Sequence, residues 1–484
     1  MSIEQMFAEL RDLLSRMEQG DRQTLVDEGL LESNPYYCRD DGVALPYMTD
    51  SPDTWGEALR ELLKKAHEED KDVYQEVWVP YMQELSYLWE TALANVHSLD
   101  EMAYWCQVAP FASFVYLSSD IFEKPELSGF SENIQALSLQ DDSDFEALAQ
   151  CTSLPRLRRL DIPVGSYFSE EHARLLAGSK ALGQVHTLLG ADIEMDSGVV
   201  EELVKSESLR NLETLILAGD LSGDAIVSIA EAPDFGRFKR FYVGFDVDNE
   251  AIFALANSSN FSELELLDLR YCYVEAEGFK ALFHSPHVTG LREIYTSGYL
   301  GVEAAQELVA SKNLSQLEVL FLSGDHRGGH LSAEELKILA TAKNLHKVHT
   351  LDLSGCDLED EGVAVLVTSD AFPSLEKLDL SLCTLGNETA EAFALSNTLH
   401  KLKSLDLSNN EKIDASGAKA LAESKSFSEL EYLNLSSTSI DATGARVLIA
   451  SGAFPKLKTL DLSYCDIAQE EETSLSSESF EVLL

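Results

Sequence analysis

The stretch LEKLDLSLCTLGNETAEAFALS, residues 375–396, contains one short strand pattern followed by one short helix pattern, and neither could bury its apolar side alone. The pattern recurs. LKSLDLSNNEKIDASGAKALAES follows from Leu402, and LEYLNLSSTSIDATGARVLIAS from Leu430. Upstream, the same frame returns at Val348, Leu317, Leu291, Leu264, Phe238 and Leu212, with weaker copies at Val185, Leu157 and Ile134 and a faint one near Phe111.

Within each copy the leucines of L-x-x-L-x-L fall on one side of a strand and the intervening residues on the other, as a period of two requires. The ninth position is Cys272, Cys356, Cys383, Asn410 or Cys465 in the regular copies, small groups suited to bonding the turn backbone that follows the strand. Runs such as ASGAKALAES then place small and apolar residues at helical spacing. A period of about 27 residues carrying L-x-x-L-x-L-x-x-C/N lies in the range of the leucine-rich repeat. Parallel strands stack about 4.8 Å apart whereas packed helices need about 8–10 Å, so the stack must curve. The prediction is an α/β horseshoe solenoid with parallel strands on the concave face, helices on the convex face and an N-terminal α-helical cap.

GARVLIASGAFPKLKTLDLSYC and GAKALAESKSFSELEYLNLSS resemble ribonuclease-inhibitor-type leucine-rich repeats. They are most similar to the G-A-x-x-L-A-x-S-x-x-F/L version common in bacterial proteins of unassigned role. The resemblance covers roughly residues 134 to 470 and implies binding rather than any one partner.

A solenoid grows by adding repeats, so 484 residues require no more than one long repeat domain, read as 111–484, and an N-terminal piece, 1–110. That piece lacks the repeat and is rich in aromatic residues, among them Trp55, Trp78, Trp89 and Trp105. Helical patterns in IEQMFAELRDLLSRM and TWGEALRELLKKAHEED suit a cap over the apolar end of the solenoid. The opening MSIEQMFAELRDLL has neither the basic start nor the apolar centre of a secretory leader, and no stretch approaches the roughly 20 apolar residues of a membrane span. A soluble cytoplasmic protein is expected. The seven cysteines, four of them at the ninth position, are then reduced packing thiols, and without a C-x-x-C pair zinc has no support.

The formal net charge is −48 and the sequence pI about 4.4. Such a field disfavours nucleic acid and anionic membranes as partners and favours a basic protein; the same charge would also serve solubility alone. No phosphate-binding glycine loop and no nucleophile elbow is present. His326 and His330 in GDHRGGHLS, followed by His346 and His349, read as a polar inserted loop. Glu470, Glu471 and Glu472 read as a solvated face rather than a calcium loop. Cys38-Arg39-Asp40 is similar to the C-x-D around the nucleophile of bacterial E3 ubiquitin ligase effectors that carry such repeats. A large helical catalytic domain, which those ligases need, does not fit in about 110 residues. No cofactor or metal is implied.

The residue between the second and third leucines of each frame points out of the concave sheet. That column reads Ser138, Asp161, Leu189, Ile216, Tyr242, Asp268, Tyr295, Phe321, Asp352, Asp379, Asp406, Asn434, Asp461. Large apolar groups on an open wall beside charges have the composition of a protein-binding surface. The expected partner-binding residues are therefore Ile216, Tyr242, Asp268, Tyr295, Phe321, Asp352, Asp379, Asp406 and Asp461. The leading reading is a non-enzymatic protein-binding module for a basic partner, of which an inhibitor or immunity-type protein is one form. The alternatives are a cysteine enzyme using Cys38 and a structural scaffold.

Overall fold

The computed structural model describes residues 95–96, 114–116 and 134–484, apart from 140–141, 152–153, 163–167, 192–196, 219–221, 244–246, 271, 273, 297–299, 325–330 and 478. The chain divides into two compact units, Met1–Ile193 with Glu202–Leu212, and Glu194–Glu201 with Glu213–Leu484.

In the first unit the strands β1 (Asn95–Val96), β2 (Phe114–Tyr116), β3 (Ile134–Ser138), β4 (Arg159–Ile162) and β5 (Thr187–Ala191) pair in parallel, each with the next in sequence. Among the described residues the first paired strand starts at Asn95, and the helical patterns further upstream lie outside the described residues.

The second unit continues the same scheme. Its strands are β6 (Thr214–Ala218), β7 (Arg240–Val243), β8 (Leu266–Leu269), β9 (Glu293–Thr296), β10 (Val319–Phe321), β11 (Thr350–Asp352), β12 (Lys377–Asp379), β13 (Ser404–Asp406), β14 (Tyr432–Asn434), β15 (Thr459–Asp461) and β16 (Glu481–Leu483). All neighbours are parallel, with helices such as Glu359–Val367, Asn387–Leu395 and Ala415–Ala422 between them. This is the leucine-rich-repeat solenoid that the frame predicts. The middle residue of each strand points at the helices, and Leu351, Leu378, Leu405, Leu433 and Leu460 are all buried.

Three repeated contacts explain the consensus. The ninth-position group donates to a strand carbonyl of the preceding repeat: Cys356 to Leu322 (3.2 Å), Cys383 to Leu353 (3.1 Å), Asn410 to Leu380 (2.9 Å) and Cys465 to Leu435 (3.1 Å). The serine of L-A-x-S closes the other side. Ser396 Oγ reaches the Val367 carbonyl at 2.5 Å, Ser424 that of Phe393 at 3.3 Å and Ser451 that of Ala422 at 2.6 Å, each donating to a carbonyl in the last turn of the preceding repeat's helix. The glycine of G-A-x-x-L lets helices approach: a Cβ at Gly444 would lie 3.0 Å from Ala415 Cα and 3.0 Å from Ile440 Cγ2.

A fourth pattern was not read from the sequence. The residue just before each strand from β6 to β15 alternates acidic with basic, the basic place before β11 being taken by His349. Glu213 is followed by Lys239, Glu265 by Arg292, Glu318 by His349, Glu376 by Lys403 and Glu431 by Lys458. Each of these residues donates its backbone N–H to the carbonyl of the one before, from Lys239 to Glu213 (2.7 Å) down to Lys458 to Glu431 (2.8 Å), so they are true neighbours in space. Their side chains pair accordingly. Lys239 lies 2.9 Å from Glu213, Arg292 3.5 Å from Glu318, Lys403 2.8 Å from Glu376 and Lys458 2.9 Å from Glu431.

Candidate functional site

The strand register places the predicted residues in a single column of the second unit: Ile216 opposite Tyr242, then Asp268, Tyr295, Phe321, Asp352, Asp379, Asp406, Asn434 and Asp461. Of Ile216 only the backbone is described. The column has two characters.

From β7 to β10 it is aromatic and largely closed. Tyr242 is 3% exposed and Tyr295 7%, which corrects the expectation of an open aromatic wall at these two positions. Phe321 is half-buried, its ring 5.3 Å from that of Tyr295. Asp268, at 4% exposure, is not a free rim charge either. Arg270, two residues on and therefore on the same face, holds it with a bidentate bond from Nε (3.0 Å) and Nη2 (2.6 Å). The guanidinium also lies 5.1 Å from the centre of the Tyr295 ring and 5.8 Å from that of Phe321. The Tyr295 hydroxyl donates to Glu293 Oε2 at 2.8 Å, and burial together with that negative charge pushes the phenol far above its usual range. The signal that could have revealed this cluster is the substitution of Arg270 for the serine of L-D-L-S.

From β11 to β15 the column is acidic. One carboxylate oxygen of each aspartate accepts the backbone N–H two residues on, Ser354 to Asp352 (2.9 Å), Ser381 to Asp379 (2.8 Å), Ser408 to Asp406 (2.8 Å) and Ser463 to Asp461 (2.9 Å); Asn434 does the same for Ser436 (2.9 Å). The aspartate of L-D-L-S thus has a structural task, ending the strand. The second oxygen is left over. For Asp406 it accepts from Asn434 Nδ2 at 2.8 Å, which breaks the run of like charges. Lys403 and Lys458 are paired on the strand-entry edge, whereas Lys377, exposed and two residues before Asp379, shares its face. Burial and the facing Asp379 push Asp352 up to about 7, and burial and Asp406 push Asp379 up to about 6. Burial, followed by Asp406, Asp461 and Asp379, raises Tyr432 to about 12.

The turn that follows each of these strands carries a residue at positive φ: Gly355 (65°), Leu382 (58°), Asn409 (57°), Ser437 (55°) and Tyr464 (60°). Glycine or asparagine is at ease there; leucine and tyrosine are not. Leu382 is nevertheless 60% exposed and Tyr464 90%.

Cys38, Arg39 and Asp40 lie outside the described residues, as do His326 and His330. His349 is described, and its Nδ1 lies 3.0 Å from Thr350 Oγ1. Among the described residues Cys356, Cys383 and Cys465 are free thiols, and no group of three or more His, Cys, Asp and Glu is placed to hold a metal ion. No helix among them is long and apolar enough to cross a membrane.

Four stretches of the chain, 344–367, 373–394, 398–422 and 455–470, match the family model described as Leucine Rich repeat. Among solved structures, a chain of the Rad7 and Elc1 complex in yeast is similar at 16% identity, with 88% of this chain and 97% of that chain covered and a TM-score of 0.46. A chain of the mouse RP105/MD-1 complex is similar at 16% identity, with 78% and 63% covered and a TM-score of 0.42. No curated protein matches the sequence.

Proposed function

We propose that this chain is a non-enzymatic protein-binding module that receives a basic protein on the strand face of β11 to β15. The observation that carries this reading is the acidic column itself. Asp352, Asp379, Asp406 and Asp461 stand in register, each with one oxygen committed to the backbone; Asp352 is closed, so the half-buried Asp379, Asp406 and Asp461 would meet the partner, with Lys377 beside Asp379 on the same face and Lys403 and Lys458 paired at another edge. A cationic partner would supply the missing counter-charge, and the overall charge of −48 would steer it inward. Phe321, half-buried at the head of the column, gives the same face an apolar border, with Tyr295, Tyr242, Asp268 and Ile216 behind it in the register. An inhibitor or immunity-type role, in which the chain covers a basic toxin or nuclease, is the sharper form of this reading. Repeats of this type, matched here over four stretches, supply a rigid frame for such a face.

The test is capture from native lysate at low and high salt, with wild type and with Asp379→Asn, Asp406→Asn and Asp461→Asn combined. A basic protein held by wild type should be released by salt and missed by the triple variant. Capture that is indifferent to both would overturn the reading.

A further inference from the structure

The alternating column at the strand-entry edge has a property that its individual ion pairs do not explain. Charged residues make up 25% of the chain, yet in ten successive repeats of the second unit this position carries a fixed charge or, at His349, a histidine, and the sign changes at every step between fixed charges. The concave column beside it shows no such order, since Asp352, Asp379 and Asp406 are all acidic. Single exposed pairs contribute little to stability, so the pattern calls for a role that depends on its order.

That role follows from what competes with the native stack. Repeats share one frame and nearly one sequence, so a strand can dock on the repeat after next as readily as on its neighbour, looping out the one between. Under alternation, correct docking sets Glu beside Lys, while skipping a repeat sets Glu376 beside Glu431 or Lys403 beside Lys458. We propose that the column from Glu213 to Lys458 is a register device that makes each repeat recognise its immediate neighbour and rejects the next but one. The rung with no fixed charge is His349, between Glu318 and Glu376, so discrimination there is weakest.

The test uses the full chain and two variants of rungs 376, 403, 431 and 458. The inverted variant (Glu376→Lys, Lys403→Glu, Glu431→Lys, Lys458→Glu) keeps the alternation among these four rungs. The blocked variant (Glu376→Lys, Lys458→Glu) has the wild-type composition in the order Lys, Lys, Glu, Glu, so two of the three neighbouring pairs repel while both skipped pairs attract. After dilution from urea at low salt, the inverted variant should regain protection of the backbone amides of residues 377–461 at the wild-type yield. The blocked variant should lose severalfold in yield and trap molecules in which one whole repeat exchanges freely between protected ones, and 1 M salt, with a screening length of about 3 Å, should restore it. Equal refolding of blocked and wild-type chains would overturn the proposal, as would an inverted variant impaired as badly as the blocked one.

Discussion

Repeats β7 to β10 and repeats β11 to β15 share one backbone frame and one column of outward positions, yet they treat charge in opposite ways. In the first group Asp268 is matched within two residues by Arg270, and the pair is closed under aromatic rings. In the second group no ion pair is formed by the four aspartates among the described residues, with Asp379, Asp406 and Asp461 half-buried and Asp352 closed. The difference teaches that the frame fixes where a side chain stands and leaves its electrostatic meaning to the residue two places on, arginine in one case and serine in the other.

The largest effect should come from breaking the closed half. Arg270→Ala leaves Asp268 buried without its counter-ion and should destabilise the protein by about 3–5 kcal/mol, read by urea unfolding. An Arg270→Ala chain that melts like wild type would show that the two halves differ less than their geometry indicates.

The open half should reveal itself through pH. Asp352 and Asp379 bind their protons more tightly in the folded state than the ordinary carboxylate value of 3.8. The folded chain therefore holds more protons between about pH 4 and pH 7, and these two groups must make stability fall as pH rises across that window and add no further slope above it. For Asp352, at 6% exposure, the contribution is roughly 2–4 kcal/mol. The unfolding free energy of wild type should fall relative to that of Asp352→Asn as pH rises, followed by urea titration from pH 4 to 8. A difference that does not change with pH would show that the carboxylates are solvated like any surface pair.

Packing supplies the control for that half. Gly444→Val forces a branched side chain against Ala415 and Ile440 and should cost about 1–3 kcal/mol in thermal unfolding, with the acidic face left unchanged. The smallest effect has the opposite sign. Leu382→Asn places at the left-handed turn the residue type already found at Asn409 and should stabilise the chain by about 0.5–1 kcal/mol. Loss of partner capture in this variant would mark Leu382 as part of the binding surface.

The solenoid and the membership of the column were legible because both follow from periodicity: a leucine every second or third position decides which way each neighbour points. Burial was not legible. Tyr242 and Phe321 occupy the same slot of the frame, yet one is closed and the other half open, because exposure depends on what lies across the face rather than along the strand. Arg270 escaped notice because the frame treats its position as a turn residue. The alternation of Glu213, Lys239, Glu265 and their successors escaped for a related reason: it lies one residue outside the leucine motif, at a step of one repeat, where no hydrophobic pattern directs attention.

The thiols that bridge neighbouring repeats also act as built-in clocks. Burial drives Cys356 up to about 12 and Cys383 higher still, so neither offers a thiolate to a reagent while its hydrogen bond to the preceding strand is closed. Reaction at either sulfur then counts the moments when two adjacent repeats part, and comparing Cys356, Cys383 and Cys465 times the fraying of the stack one repeat after another.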